Sequence, residues 1–177
     1  MLTREGTILV VIDIQGNLYQ AMDDKQFLLT NNRKLIRGAL IFDIPVLLTE
    51  QNRIGPTISE IRELLPEATP VVKDSFSCLG EARFMGALQA LCPKRIIISG
   101  IEAHVCVYQT ALDLMGLGYE VYLAADAVSS RTAQNREIAI RRLTNSGAVL
   151  MSTEMILFEL LKTAADPKAR EIFRVVK

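Results

Sequence analysis

The sequence has no tryptophan, one histidine and three cysteines in 177 residues. A lone histidine excludes a His-rich metal site, and no Asp-x-His or His-x-x-His pair occurs. Cys78, Cys92 and Cys106 lack metal-ligand spacing and are an odd set, so free thiols are expected. Aromatic residues make up only 6%, too few for a stacking platform that reads nucleic acid. No excess of either charge exists: 20 Lys plus Arg balance 20 Asp plus Glu. A nucleic-acid partner, whose footprint is a basic face, is therefore not expected. No apolar run approaches the roughly 18 residues of a membrane span. The richest run, Arg95 to Ile101, is strand-sized, so no membrane partner is expected. The opening Met-Leu-Thr-Arg-Glu-Gly carries no signal-peptide apolar region, and the expected location is the cytoplasm. No Gly-x-Gly-x-x-Gly or Walker pattern occurs, and no cofactor is expected.

What is present is apolar. Half the residues are hydrophobic, which rules out a disordered chain, and the length suits one domain spanning residues 1–177. Short β-branched runs alternate with longer helical stretches. Thr7–Ile12 is continuously apolar, the mark of a strand buried on both faces. Further strands are expected over 45–49, 70–72, 95–99, 119–124 and 148–151. Helical spacing predicts helices over 31–42, 80–91, 103–117, 134–146 and 153–162, the last with a broad apolar face. Strands alternating with helices imply an α/β fold with a parallel sheet between helical layers. In such folds ligands sit at the carboxyl ends of the strands.

Three residues at those ends carry chemistry. Asp13 directly follows the first strand. As a loop carboxylate it serves equally well in an Asx-turn, but its position straight after an apolar strand favours a site. Lys73 follows the third strand; an interior lysine needs a partner carboxylate, and Asp13 can supply one. Cys106 lies just beyond the fourth strand, after Gly100, in the first turn of a helix starting near Ala103. Buried small hydrophobe is the commoner fate of a cysteine, but unpaired amides at a helix start favour a thiolate. Together these supply a nucleophile, a base and a cation. His104 lies two positions before Cys106, and helical positions two apart do not face each other, which disfavours a Cys-His dyad. Arg131 binds substrate or supports its loop; the second is slightly favoured.

Val11-Ile-Asp-Ile-Gln15, Val72-Lys-Asp-Ser-Phe76 and Ser99-Gly-Ile-Glu-Ala-His-Val-Cys106 resemble motifs of the isochorismatase-like cysteine hydrolase superfamily. Leu48-Thr-Glu-Gln51, Gln109-Thr-Ala-Leu112 and Asp126-Ala-Val-Ser-Ser-Arg131 extend the resemblance in order along nearly the whole chain, toward the small isochorismatase-domain proteins of unassigned substrate. The resemblance implies a three-layer α/β/α sandwich with a six-stranded parallel sheet. It implies a catalytic triad of Asp13, Lys73 and Cys106 with Asp13 as base. It also implies a cis peptide between Ile101 and Glu102, ahead of an oxyanion turn completed by Cys106. Gln15, Glu50, Phe76 and His104 border these motifs and are the candidates for the substrate pocket. Family members that cleave isochorismate lack the cysteine, so Cys106 points toward C–N hydrolysis through a thioester. The nicotinamidases of the family add a metal held by Asp-x-His and a further His, and this sequence lacks those ligands.

The expected activity is therefore a metal-independent cysteine hydrolase acting on an amide-type bond of a small molecule. The competing expectation is a catalytically silent protein that keeps the fold as an interaction scaffold. A redox sensor is a third, and needs a second cysteine near Cys106. Mean hydropathy of +0.24 and the apolar face over 153–162 also predict a homo-oligomer.

Overall fold

The computed structural model describes residues 1–177. In chain order the elements are β1 (Thr7–Ile12), α1 (Gly16–Gln20), α2 (Lys25–Ile41), β2 (Val46–Gln51), α3 (Ser59–Arg62), β3 (Val71–Lys73), α4 (Ala82–Leu91), β4 (Arg95–Ile101), α5 (Tyr108–Gly116), β5 (Glu120–Ser129), α6 (Ala133–Asn145), β6 (Val149–Met151), α7 (Thr153–Leu161) and α8 (Ala169–Val176). A short 3-10 turn, Cys78–Gly80, precedes α4, and a π turn, Ala103–Val107, precedes α5. The six strands form one sheet in the order β3-β2-β1-β4-β5-β6, every pairing parallel.

Strand periodicity builds the two cores. Leu9 and Val11 of β1, with Ile97 and Ile101 of β4, enter an apolar cluster beneath α2, α7 and α8. Ile8, Val10 and Ile12, with Ile96 and Ile98, enter a second cluster beneath α4, α5 and α6. Both faces of β1 are thus covered, which is why its sequence is continuously apolar rather than alternating. The strand order reverses beside β1, so the crevice at the carboxyl ends of β1 and β4 is the topological switch point.

Several boundaries differ from the sequence reading. β5 runs through Ala124-Ala-Asp-Ala127 to Ser129, and its pairing with β4 shifts register between Ile98 and Gly100. Small residues and an aspartate have weak strand preference; these four fall in the register shift, between the Leu123 and Val128 pairings to β4 that hold the strand on either side. Asp126 therefore lies inside β5, where its Oδ1 accepts from the Thr153 amide (2.7 Å) and hydroxyl (2.8 Å) at the start of α7. The apolar face of α7 is spent indoors: Ile156, Leu157, Leu160 and Leu161 are all in the core. Only Met155 and Phe158 are left outside, the latter stacked on Phe173 of α8 at 6.0 Å between ring centres. No helix is long and apolar enough to cross a membrane.

Candidate active site

Asp13 leaves β1 in the left-handed region (φ 54°), a conformation aspartate tolerates better than most residues. Its amide donates to the Thr49 carbonyl of β2 (3.3 Å), and its carbonyl accepts from the Gln15 amide (2.7 Å). This kink turns the carboxylate across the end of β2. There Oδ1 accepts from the Thr49 hydroxyl (2.7 Å) and Oδ2 meets the Lys73 ammonium (2.7 Å). Both side chains are fully buried. The pair is sealed beneath the loops that follow β2 and β3.

Lys73 ends β3, two strands from β1, and spans the end of β2 to reach Asp13. Its Nζ also donates to Gln51 Oε1 (2.6 Å), with the Phe76 and Ser75 carbonyls at 3.2 and 3.3 Å. Burial alone would lower its ionisation, but the charge and hydrogen bond of Asp13 reverse this and hold it above the ordinary lysine value. The loop supplying those carbonyls is pinned by Glu81. Its Oε1 accepts from the Asp74 amide (3.0 Å), the Ser75 amide (3.2 Å) and the Ser75 hydroxyl (2.9 Å). These bonds, the Ser75 hydroxyl first, keep the Glu81 carboxyl below its usual range.

Cys106 is delivered by the turn after β4. Gly100 has φ 118°, and a Cβ there would overlap the backbone of Ile12 on β1, so only glycine allows the two strands this approach. The Ile101–Glu102 peptide is cis. The Glu102 carbonyl then accepts from the Val105 and Val107 amides at 3.1 and 3.2 Å, closing the π turn around Cys106. The thiol is 6% exposed. It donates to Gln51 Oε1 at 3.9 Å, within reach for sulfur. Burial, then the negative charge of Asp13, push it up to about 12, and Lys73 offsets only part of this. A thiolate stabilised by the helix start was expected; burial and the Asp13 charge act in the opposite direction, toward the protonated thiol.

The remaining candidates brace the site. Gln15 is fully buried and grips the backbone of Gln51: its Oε1 accepts from the Gln51 amide (2.7 Å) and its Nε2 donates to the Gln51 carbonyl (3.0 Å). Glu50 Oε1 accepts from the Thr57 amide (2.8 Å) and hydroxyl (2.7 Å), shaping the loop after β2. His104 Nδ1 pairs with the Ser130 hydroxyl at 2.9 Å. Glu102 receives Arg131 Nε at 2.5 Å, so Arg131 supports the turn that carries Cys106. Phe76 is 53% exposed beside these loops. Sequence reasoning missed Thr49 and Gln51 as contacts of the three charged or nucleophilic groups. The signals were a polar Thr-Glu-Gln ending an otherwise apolar strand and its place among the resembling motifs.

Cys92 ends α4 at the opposite edge of the sheet, exposed and separated from Cys106 by the length of β4, roughly 20 Å. Cys78 is buried, its amide donating to the Thr110 hydroxyl (3.0 Å), and burial pushes its thiol up to about 11. No three His, Cys, Asp or Glu side chains converge where they would hold a metal ion.

The fold and the sequence as a whole have counterparts among known proteins. A secreted isochorismatase effector from Phytophthora sojae is 34% identical over 97% of this chain and 85% of its own length. Among solved structures, a MAR1 ribonuclease from Caenorhabditis elegans superposes with a TM-score of 0.92 at 32% identity, covering 99% of this chain and 91% of that one. YcaC from Escherichia coli, described as an octameric hydrolase of unknown specificity, superposes with a TM-score of 0.92 at 24% identity, over 98% and 89% of the two chains. The isochorismatase domain model matches residues 7–155, all six strands of the sheet and both strand ends that meet at the switch point. This chain belongs to the isochorismatase domain family.

Proposed function

We propose that the chain is a cysteine hydrolase that cleaves an amide-type C–N bond of a small molecule, with Cys106 as nucleophile, Asp13 as base and Lys73 as fixed cation. The observation that carries this reading is the fully buried Asp13–Lys73 pair acting on a thiol pushed up to about 12. Such a thiol is a poor nucleophile at neutral pH, so a contacting base must take its proton as it attacks. Transfer of that proton to Asp13 exchanges an Asp13 carboxylate for a Cys106 thiolate beside the same ammonium. The net charge of the buried site stays zero, and no new uncompensated charge is created in a low dielectric.

The thiolate adds to the carbonyl carbon, and the oxyanion is met by amides of the turn from Ile101 to Cys106. Collapse breaks the C–N bond; the amine leaves with the proton returned from Asp13, and a Cys106 thioester remains. Water attacks that thioester, Asp13 takes the water proton, and return of the proton to sulfur releases the acid. Each step uses only groups already in contact and needs no metal.

The competing scaffold reading has one observation in its favour: Cys106 and Asp13 are almost sealed, while the larger surface hollows lie elsewhere. A hollow of about 490 Å³ is lined by Thr3, Glu5, Gly6, Leu91, Cys92, Lys94 and Arg95, at the amino ends of the strands. Screening wild type and Cys106→Ala against a panel of small amides, with RNA included, separates the readings. Amide turnover by wild type that falls to background in Cys106→Ala is the expected result. No turnover favours the scaffold, and RNA cleavage that survives in Cys106→Ala overturns the thioester route. Self-association belongs to the same proposal, supported by the octamer described for the E. coli protein. A cytoplasmic setting is supported by the three free thiols, against the secretion named for the Phytophthora relative.

A further inference from the structure

Gln51 stands where two donors converge. It ends β2 in register with Lys73 of β3. Its Oε1 accepts from the Lys73 ammonium at 2.6 Å and from the Cys106 thiol at 3.9 Å. The amide can sit only one way round, because its Nε2 donates to the Asp74 carbonyl at 2.9 Å. Its backbone is clamped at both polar atoms by the buried Gln15 amide. Three separate hydrogen bonds thus aim one neutral oxygen at the nucleophile and at the cation that supports it. Nothing about a strand end requires such a placement; an apolar side chain would cap β2 equally well.

We infer that Gln51 is a positioning residue of the site, drawing one Lys73 N–H and the resting S–H toward its own neutral oxygen in competition with the contacts Cys106 makes to Lys73 and Asp13. The inference rests on the reading of Cys106 as nucleophile. The charged groups that act on the sulfur are Asp13, after β1, and Lys73, at the end of β3, with the Cys78 thiol close to both. An ammonium has three hydrogens: one faces Asp13 and another the Ser75 and Phe76 carbonyls. If Gln51 did not accept the third, that hydrogen would be free to turn to the sulfur and favour the thiolate before substrate arrives. The neutral oxygen therefore keeps the thiol protonated and the ammonium on Asp13 until a substrate displaces the arrangement.

The test is the rate of Cys106 carbamidomethylation by iodoacetamide, read by peptide mass spectrometry at pH 8.5 on the intact folded protein. Gln51→Met keeps the volume and removes the acceptor; Cys106 should react several-fold faster than in wild type. Gln51→Glu keeps the shape and places a negative charge beside the thiol; Cys106 should react about tenfold more slowly. Opposite directions are the signature, since a merely structural role would move both variants the same way. Wild-type rates in both, or equal slowing in both, would overturn the inference. Should Gln51→Met fail to fold, Gln51→Glu decides alone: an unchanged rate in the folded variant defeats the proposal. The probe needs no substrate, so an amide screen that finds no turnover defeats the hydrolase reading without touching this result.

Discussion

The two ends of the sheet carry the same kinds of group in opposite settings. At the amino ends Arg4 meets Asp166 at 2.6 Å and Arg95 meets Glu120 at 3.6 Å, with these side chains between 16% and 50% exposed. Cys92 is open to solvent there, and hollows of about 450 and 490 Å³ lie alongside. At the carboxyl ends Lys73 meets Asp13 at 2.7 Å with no exposure, and Cys106 is 6% exposed. The roomier end is chemically quiet because water and salt screen its charges. At the closed end water is excluded and the groups lie close together, so Asp13, Lys73 and Cys106 act strongly on one another's protonation. Volume on a surface is a poor guide to chemistry; desolvation of paired groups is a better one.

Removing one carboxylate from each end should give the widest contrast. Asp13→Asn leaves the Lys73 ammonium buried without its partner and is expected to cost about 3–5 kcal/mol in urea denaturation. Any amide hydrolysis should fall about a hundredfold or more with the base gone. Asp166→Asn should leave both midpoint and turnover unchanged. The Lys73 charge contributes stability below the ordinary lysine value, 10.5, and that contribution is lost as pH rises through the higher folded value. Wild type should therefore lose stability above about pH 10.5, and Asp13→Asn should lose less. Equal destabilisation by the two carboxylate variants would erase the distinction between the ends.

Thiol chemistry should separate the ends next. At pH 8 a thiol pushed up to about 12 is almost wholly protonated. Carbamidomethylation of exposed Cys92 should outrun that of Cys106 by roughly tenfold to a hundredfold, part of the gap being offset by the higher nucleophilicity of the more basic thiolate. The Cys106 rate should climb about tenfold per pH unit up to pH 11, since the neutral form persists until then. A Cys106 that reacts as fast as Cys92 at pH 8 would mean the thiolate is preformed.

Two glycines make the last contrast. Gly86, on the exposed side of α4, has nothing within 4 Å of where a Cβ would stand, and Gly86→Ala should add about 0.5–1 kcal/mol of stability by urea titration. Gly100→Ala should prevent native folding, because the added carbon would occupy the Ile12 backbone. A tolerated Gly100→Ala would show that β1 and β4 can part at the switch point.

Asp13, Lys73 and Cys106 were legible because a parallel sheet buries its strand interiors, so a charge or nucleophile straight after an apolar run stands out. Short elements were not legible: α1 has five residues and α3 four, too few for a helical period to register. The apolar face of α7 was visible, but whether it met another copy or the core of its own chain was not; it meets the core. Gln15 and Glu50 were singled out for a pocket by their place beside the motifs; that their side chains also hold the loop after β2 was not legible.

By itself the sequence determined the alternation of strand and helix, the burial of β1 and β4 on both faces, and which strand ends carry reactive groups. These follow from local periodicity and from the types of residue present. Only the tertiary structure decided what those groups do to each other. Strand order put Lys73 two strands away from Asp13 yet within 2.7 Å of it, and register set Gln51 beside Lys73. Closure of the loops removed the water that would have let Cys106 ionise. Protonation depends on distance and dielectric, and both are properties of the packed chain rather than of its order of residues.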